Sequence, residues 1–134
     1  PSGRKAPDLN LPNPYGENIS LYSLKGKIVL VNFWASIMSE HTTILRLYNK
    51  YKDQGFTVYS VSLDTDATKW RNAIQAGRLN YPFNVSDLKG WSSEAARVYE
   101  VGSLPKSFLI GRNGYILEEG SAFEIEEKLK EYFE

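Results

Sequence analysis

The sequence predicts an α/β fold, a three-layer α/β/α sandwich around a central mixed β-sheet. Three observations carry that expectation. The near-continuous apolar run Ile28 to Trp34, IVLVNFW, has the composition of a central strand covered on both faces. Helix-period and strand-like segments then alternate, which implies right-handed crossovers and parallel pairing. Late in the chain, two short strand-like runs flank Asn113-Gly114, a hairpin signal that adds antiparallel strands.

Each element has its own local reason. Residues 1–18 are rich in Pro, Gly and Asn and read as mostly irregular. Ile19 to Leu21 reads as a short edge strand, and Leu24-Lys25-Gly26-Lys27 as a turn. Ser39 to Lys52 reads as a helix because Ile44, Leu47, Tyr48 and Tyr51 recur at helical spacing. Ser36 and Ser39 are its candidate N-caps, and Gly55 stands at the expected stop. Phe56 to Leu63 alternates as a strand. Asp64 and Asp66 open a helix to about Ala76, with Trp70 and Ile74 on one face and Gly77 ending it. Tyr81 to Val85 reads as a short extended segment. Ser92 to Val98 reads as a short helix, with Ala95, Ala96 and Tyr99 inward. Ser107 to Ile110 and Tyr115 to Glu119 form the hairpin strands. Phe123 to Phe133 is a final amphipathic helix burying Ile125, Leu129 and Phe133.

Composition bounds the function. The 134 residues suit one domain, 1–134, without repeat, low-complexity tract or linker. Sixteen basic residues balance sixteen acidic ones, so no global field favours nucleic acid or anionic membranes. Lys50 and Lys52 read as solvated surface. No segment approaches the roughly 18 apolar residues of a membrane span. The opening Pro-Ser-Gly-Arg-Lys, with no initiator methionine, reads as the start of a processed or trimmed fragment. The chain has no cysteine, which rules out disulfides, thiolate nucleophiles and cysteine metal sites.

The segment Val31 to Thr42, VNFWASIMSEHT, is a strand running straight into a helix. Its polar residues are the first candidates for chemistry. His41 is the only histidine. It qualifies as a general base or metal ligand, but Glu40 is its only nearby partner, so a surface or capping role is expected. Ser36, Ser39, Thr42 and Thr43 lie near it as capping residues, with no Ser–His–acid arrangement readable from spacing. Met38 is expected to pack. Trp34, Trp70, Trp91 and Tyr81 are expected in the core rather than in a groove. Asp64, Asp66 and Asp87 lack calcium-loop spacing and read as caps or turn formers. Glu124, Glu126, Glu127, Lys128 and Lys130 read as a solvated helix face. No cofactor and no metal are expected, and the oligomeric state is left open.

Several local matches occur in order. They are Ala6-Pro7-Asp8-Leu9, Leu24 to Lys27 followed by IVLVNFWAS, Ser62-Leu63-Asp64, Ser86-Asp87-Leu88-Lys89-Gly90-Trp91, and Val101 to Ile110 with Leu104-Pro105. Together they resemble the thioredoxin fold, and more narrowly the bacterial TlpA-type and AhpC/TSA-like thiol–disulfide oxidoreductases. In that family the corner is written Phe-Trp-Ala-Ser-Trp-Cys-x-x-Cys. Here Phe33, Trp34, Ala35 and Ser36 stand without the two cysteines. Either Met38 and His41 replace them, or the tetrapeptide is deleted. Deletion is favoured, because the spacing to Leu47-Tyr48 is about four residues shorter than in the family, one helical turn.

What the resemblance implies follows from the missing thiols. Thiol exchange needs a thiolate attacking a disulfide. The expectation is therefore a domain without redox activity, with no catalytic residue at the degenerate corner of Ser36, Ile37, Met38, Ser39, Glu40 and His41. A peptide or protein partner would rest on Trp34, Ile37, Met38, Leu104 and Pro105. In the family the proline matching Pro105 is cis and its predecessor binds extended peptide, while a purely structural role stands equally open. The rival readings are non-thiol chemistry near His41 and Glu40, a structural domain of a larger exported protein, and an engineered chain with its motif removed. The family also implies a bacterial periplasm or cell envelope.

Overall fold

The computed structural model describes residues 3–38 and 41–134. Ser39 and Glu40, expected in the corner and at the helix start, lie outside the described residues. The element order is β1 (Asn10–Pro12), β2 (Asn18–Ser20), β3 (Ile28–Trp34), α1 (Thr42–Tyr51), β4 (Phe56–Ser62), α2 (Ala67–Gly77), β5 (Phe83–Val85), α3 (Glu94–Val98), β6 (Lys106–Ile110), β7 (Ile116–Gly120) and α4 (Ala122–Phe133).

Five strands form one sheet in the order β5-β4-β3-β6-β7. β3 pairs parallel with β4 and antiparallel with β6, so the sheet is mixed, as expected. β3 is central and all seven of its residues are buried, which explains its unbroken apolar run. The steps β3–α1–β4 and β4–α2–β5 move across the sheet in one direction. Right-handed crossovers then put both helices on the same face. Trp70 of α2, Ile44 and Leu47 of α1, and Ile125 and Leu129 of α4 share one core cluster with Ile28, Leu30 and Trp34. The opposite face carries Ala95 and Ala96 of α3 with Val29, Val31 and Phe33.

The N-terminal segment is more ordered than expected. β1 and β2 pair antiparallel as a separate ribbon, so Ile19 is not on an edge of the main sheet. Leu9, Leu11 and Leu21 from this segment complete the α3-side core. Burial of these leucines supplies the ordering force that local composition did not display.

Local corrections have equally local causes. α1 starts at Thr42, three residues after the expected Ser39, with His41 in the N-cap position and no side-chain cap bond. Ser36 does not cap it: α1 begins at Thr42 with His41 before it, and the Ser36 N–H and hydroxyl donate to Asp64. At α2 the cap is Asp66, which accepts from the N–H groups of Thr68 and Lys69. Gly77 is the last helical residue rather than the stop, and Arg78 takes the left-handed position. α3 is capped by Ser93 after a 3-10 turn at Gly90–Ser92, so the helix is shorter than expected. Trp34, Trp70 and Tyr81 are buried as expected, but Trp91 is 58% exposed. It projects from the 3-10 turn instead of from a face packed on the sheet. Phe133 is only partly buried, stacked on Tyr51 at the end of α4. Among the described residues no helix is long and apolar enough to cross a membrane.

Candidate functional site

The site is built where β3 ends. Trp34 pairs with Ser62 of the parallel β4, and the Leu63 N–H donates to the Trp34 carbonyl at 2.8 Å. This pairing delivers Asp64 to the start of the next loop on β3. Asp64 is 9% exposed. Its carboxylate accepts from the Ser36 hydroxyl at 2.5 Å, the Ser36 N–H at 3.1 and 3.2 Å, and the Ser62 hydroxyl at 2.5 Å. The Asp64 N–H in turn donates to Ser62 Oγ at 2.9 Å. The sequence assigned Ser36 and Asp64 to capping and turns. Their real work is to fix the exit of β3.

Beyond Ser36 the chain makes a tight turn, closed by the Met38 N–H donating to the Ala35 carbonyl at 3.0 Å. Met38 is therefore in a turn and His41 directly precedes α1. The His41 ring meets Trp34 edge-on, with centroids 5.0 Å apart at 87°. Gly77 of α2 packs tightly on Leu79: a Cβ there would lie 3.2 Å from the Leu79 side chain, and at an ordinary contact distance of 3.7 Å from His41 Cδ2. Glycine at the end of α2 thus permits a close approach, which is a packing reason rather than a turn reason.

These pieces enclose a cavity of about 210 Å³. Its walls include Trp34, Met38, His41, Ile44, Pro105 and Ala122. Its polar lining comes from Asn32, Thr43, Ser107 and Ser121. The Leu104–Pro105 peptide is cis. Asn32 and Ser107 are cross-strand neighbours of β3 and β6, and the Ser107 hydroxyl donates to Asn32 Oδ1 at 3.0 Å. At the rim, Ser121 caps α4 in a reciprocal box with Glu124. The Ser121 backbone N–H, and then its hydroxyl, hold the Glu124 carboxyl below the usual carboxylate range. The positive end of α4 is thereby already matched by an acid. Gly120, also at the cavity, has φ +147°, and a side chain there would run into the Glu124 carboxylate.

The expected binding residues separate into two groups. Trp34, Met38 and Pro105 line the cavity. Trp34 does so from a buried position, 1% exposed, and offers no outer surface. Ile37 lies outside the cavity, 92% exposed, over a shallow hollow shared with Lys69, Ala73 and Ala76 of α2. Leu104 is half-buried and packs on the α3-side core. Phe123, 70% exposed, projects from the first turn of α4, next to Ala122 of the cavity wall. No group of three or more His, Asp or Glu residues placed to hold a metal ion occurs among the described residues.

Asn32, Ser62 and Ser107 were not singled out as site residues, and Asp64 was read only as a cap or turn former. Asn32 did leave a signal, being the one polar residue inside IVLVNFW. Ser107 left none, because it joins Asn32 only through strand pairing across 75 residues.

Comparison with known proteins agrees with this architecture. The profile of the AhpC/TSA family matches residues 2–118. Thiol-disulfide oxidoreductase ResA of Bacillus cereus is 30% identical over 136 residues, spanning 98% of this chain and 76% of the relative. A thiol-disulfide oxidoreductase from Bacteroides fragilis has a similar structure at TM-score 0.86 and 34% identity, over 97% of this chain and 100% of that one. The thioredoxin domain of a thiol-disulfide oxidoreductase from Bacteroides vulgatus superposes at TM-score 0.85 and 29% identity, over 96% and 97% of the two chains. Sequence and fold together place the corner at the end of β3 in a thioredoxin-like frame, and the chain belongs to the AhpC/TSA family as a member without a single cysteine.

Proposed function

We propose that this chain is a single thioredoxin-like domain that has lost thiol–disulfide exchange and serves as a peptide- or protein-binding module. Thiol exchange proceeds through a thiolate and a mixed disulfide, and this chain has no sulfur able to form either. Met38 is a thioether and His41 an imidazole, and neither replaces a dithiol. The observation that carries the binding reading is the cavity beside Pro105, with the exposed Ile37 adjoining its wall residue Met38 in the chain. Enclosed apolar volume next to exposed apolar side chains favours an extended chain with apolar residues.

The deletion of a Cys-x-x-Cys turn is part of this proposal. In its favour, Met38 lies in a non-helical turn and His41 precedes the helix, so neither occupies a helical turn where a dithiol would stand. We also propose a bacterial cell-envelope location, on the strength of the family and of the bacterial relatives.

Two measurements test the function. In insulin reduction with dithiothreitol the chain is expected to match the uncatalysed rate, and turnover well above it would sink the loss of exchange. Reduced, carboxymethylated α-lactalbumin, a permanently unfolded chain, is expected to bind in a fluorescence titration. Ile37→Asp is expected to weaken that binding about tenfold, since it puts a charge on an apolar contact. Equal affinity of Ile37→Asp and the parent would remove Ile37 from the binding surface.

A further inference from the structure

The cavity floor carries hydrogen-bond donors that the fold does not use. Asn32 is 6% exposed and lines the cavity. Its Oδ1 accepts from Ser107, while its NH2 group donates to nothing among the described residues. Trp34 lines the same cavity, and its buried indole N–H has no partner either. Buried donors are ordinarily satisfied, so an orphan Trp34 indole N–H beside a free Asn32 amide is a specific chemical feature.

The rest of the lining decides what those donors would take. Ile44, Pro105 and Ala122 present apolar wall, and among the described lining residues there is no lysine or arginine, His41 being the one titratable group. At the rim the Glu124 carboxylate already occupies the Ser121 N–H. An anion entering here meets no lysine or arginine among the described lining residues and one existing acid at the rim, whereas a neutral oxygen acceptor meets the free Asn32 amide. Size sets the second constraint. An apolar cavity of about 150 Å³ admits benzene. At about 210 Å³ this one has room for a six-membered ring with a short substituent.

We propose that the cavity binds a neutral, ring-sized carbonyl compound whose oxygen accepts from the Asn32 amide, with the Trp34 indole as second donor. The ring lies against Ile44, Pro105 and Ala122. This proposal shares the cavity with the peptide reading but turns on the floor at Asn32, whereas the peptide reading also needs the exposed Ile37 outside it.

The test is a titration of the intact, 15N-labelled chain with acetophenone, toluene and benzoate, followed by NMR. Acetophenone is expected to move the side-chain amide signals of Asn32 and the indole signal of Trp34. It is expected to bind about fivefold more tightly than toluene, the gain of one net hydrogen bond. Benzoate is expected to bind about tenfold more weakly than acetophenone, because its charge goes unpaired. In Asn32→Leu the preference for acetophenone over toluene is expected to vanish. Ala122→Leu leaves Asn32 and Ser107 untouched and narrows the cavity, and is expected to weaken acetophenone about tenfold. Unmoved Asn32 signals at saturating acetophenone, or toluene binding as tightly as acetophenone, would overturn the proposal. Acetophenone binding retained in Ile37→Asp while the unfolded chain no longer binds would separate the two readings.

Discussion

Replacing Asp64 by alanine tests whether the exit of β3 is held by one buried carboxylate. The Asp64 side chain accepts from three donors: the Ser36 hydroxyl, the Ser36 N–H and the Ser62 hydroxyl. Hydrogen bonds to a charged group contribute about 1.5–3 kcal/mol each when measured singly. They do not add here, because Ser36 is only partly buried and its donors regain water in the variant. Ser62 is 0% exposed and its hydroxyl stays dry, so that donor alone costs about 1–3 kcal/mol when unmade. The expected loss for Asp64→Ala is therefore about 2–4 kcal/mol. Asp64→Asn keeps one acceptor and is expected to lose about 1–2 kcal/mol. The assay is urea unfolding at neutral pH, with Ser36→Ala and the double variant closing a cycle. A coupling of about 1 kcal/mol or more between Asp64 and Ser36 is expected, since the residues touch. Amide exchange at Ser36 is expected to quicken in Asp64→Ala. A loss under about 0.5 kcal/mol with a coupling near zero would refute the carboxylate as the anchor of this corner.

Other expectations follow from the same geometry. Met38→Cys with His41→Cys is expected to leave insulin reduction at the uncatalysed rate, because Met38 stands in a turn outside α1, and efficient reduction by that double variant would disprove the deletion reading. Arg46 of α1 holds Glu126 of α4 through two hydrogen bonds of 3.0 and 2.9 Å, which keep the Glu126 carboxyl below the usual range. A lowered carboxylate contributes stability above its unfolded-state pKa and loses it as pH falls through the folded one. Glu126→Gln is therefore expected to cost about 0.5–1 kcal/mol at pH 7, modest because Arg46 is 53% exposed, and nothing once the parent carboxyl is protonated in acid. Urea unfolding across that pH range checks it, and a deficit that persists in strong acid would point to packing instead. Calorimetric titration with zinc is expected to give no binding at micromolar metal, and a site that disappears in His41→Ala would revive metal chemistry at this corner.

How much of this was legible in one dimension depends on the range of the force involved. IVLVNFW was readable as the central strand because burial on both faces leaves a local, unbroken apolar record. The helices at Ile44, Leu47, Tyr51 and at Ile125, Leu129 were readable because each one's inward face repeats within a few turns. The absence of cysteine needed no structure at all, since it is a fact of composition. Helix starts were less readable, because a hydroxyl's place in the sequence does not show where the chain turns after β3. The Ser36 hydroxyl donates to the buried Asp64 carboxylate, and α1 begins only at Thr42.

The cavity itself belongs to tertiary structure alone. Its lining comes from β3, the turn after it, α1, the Pro105 loop, β6 and the start of α4. Only the insertion of β6 beside β3 brings Ser107 to Asn32, across 75 residues. Only the parallel pairing of β3 with β4 brings Asp64 to Ser36. The sequence by itself determined the layers, the central strand and the missing thiols, because periodicity and composition are local properties. The structure decided which polar groups face one another and which donors remain free. Those pairings arise between strand ends that the sequence keeps far apart, and no local pattern encodes their distance.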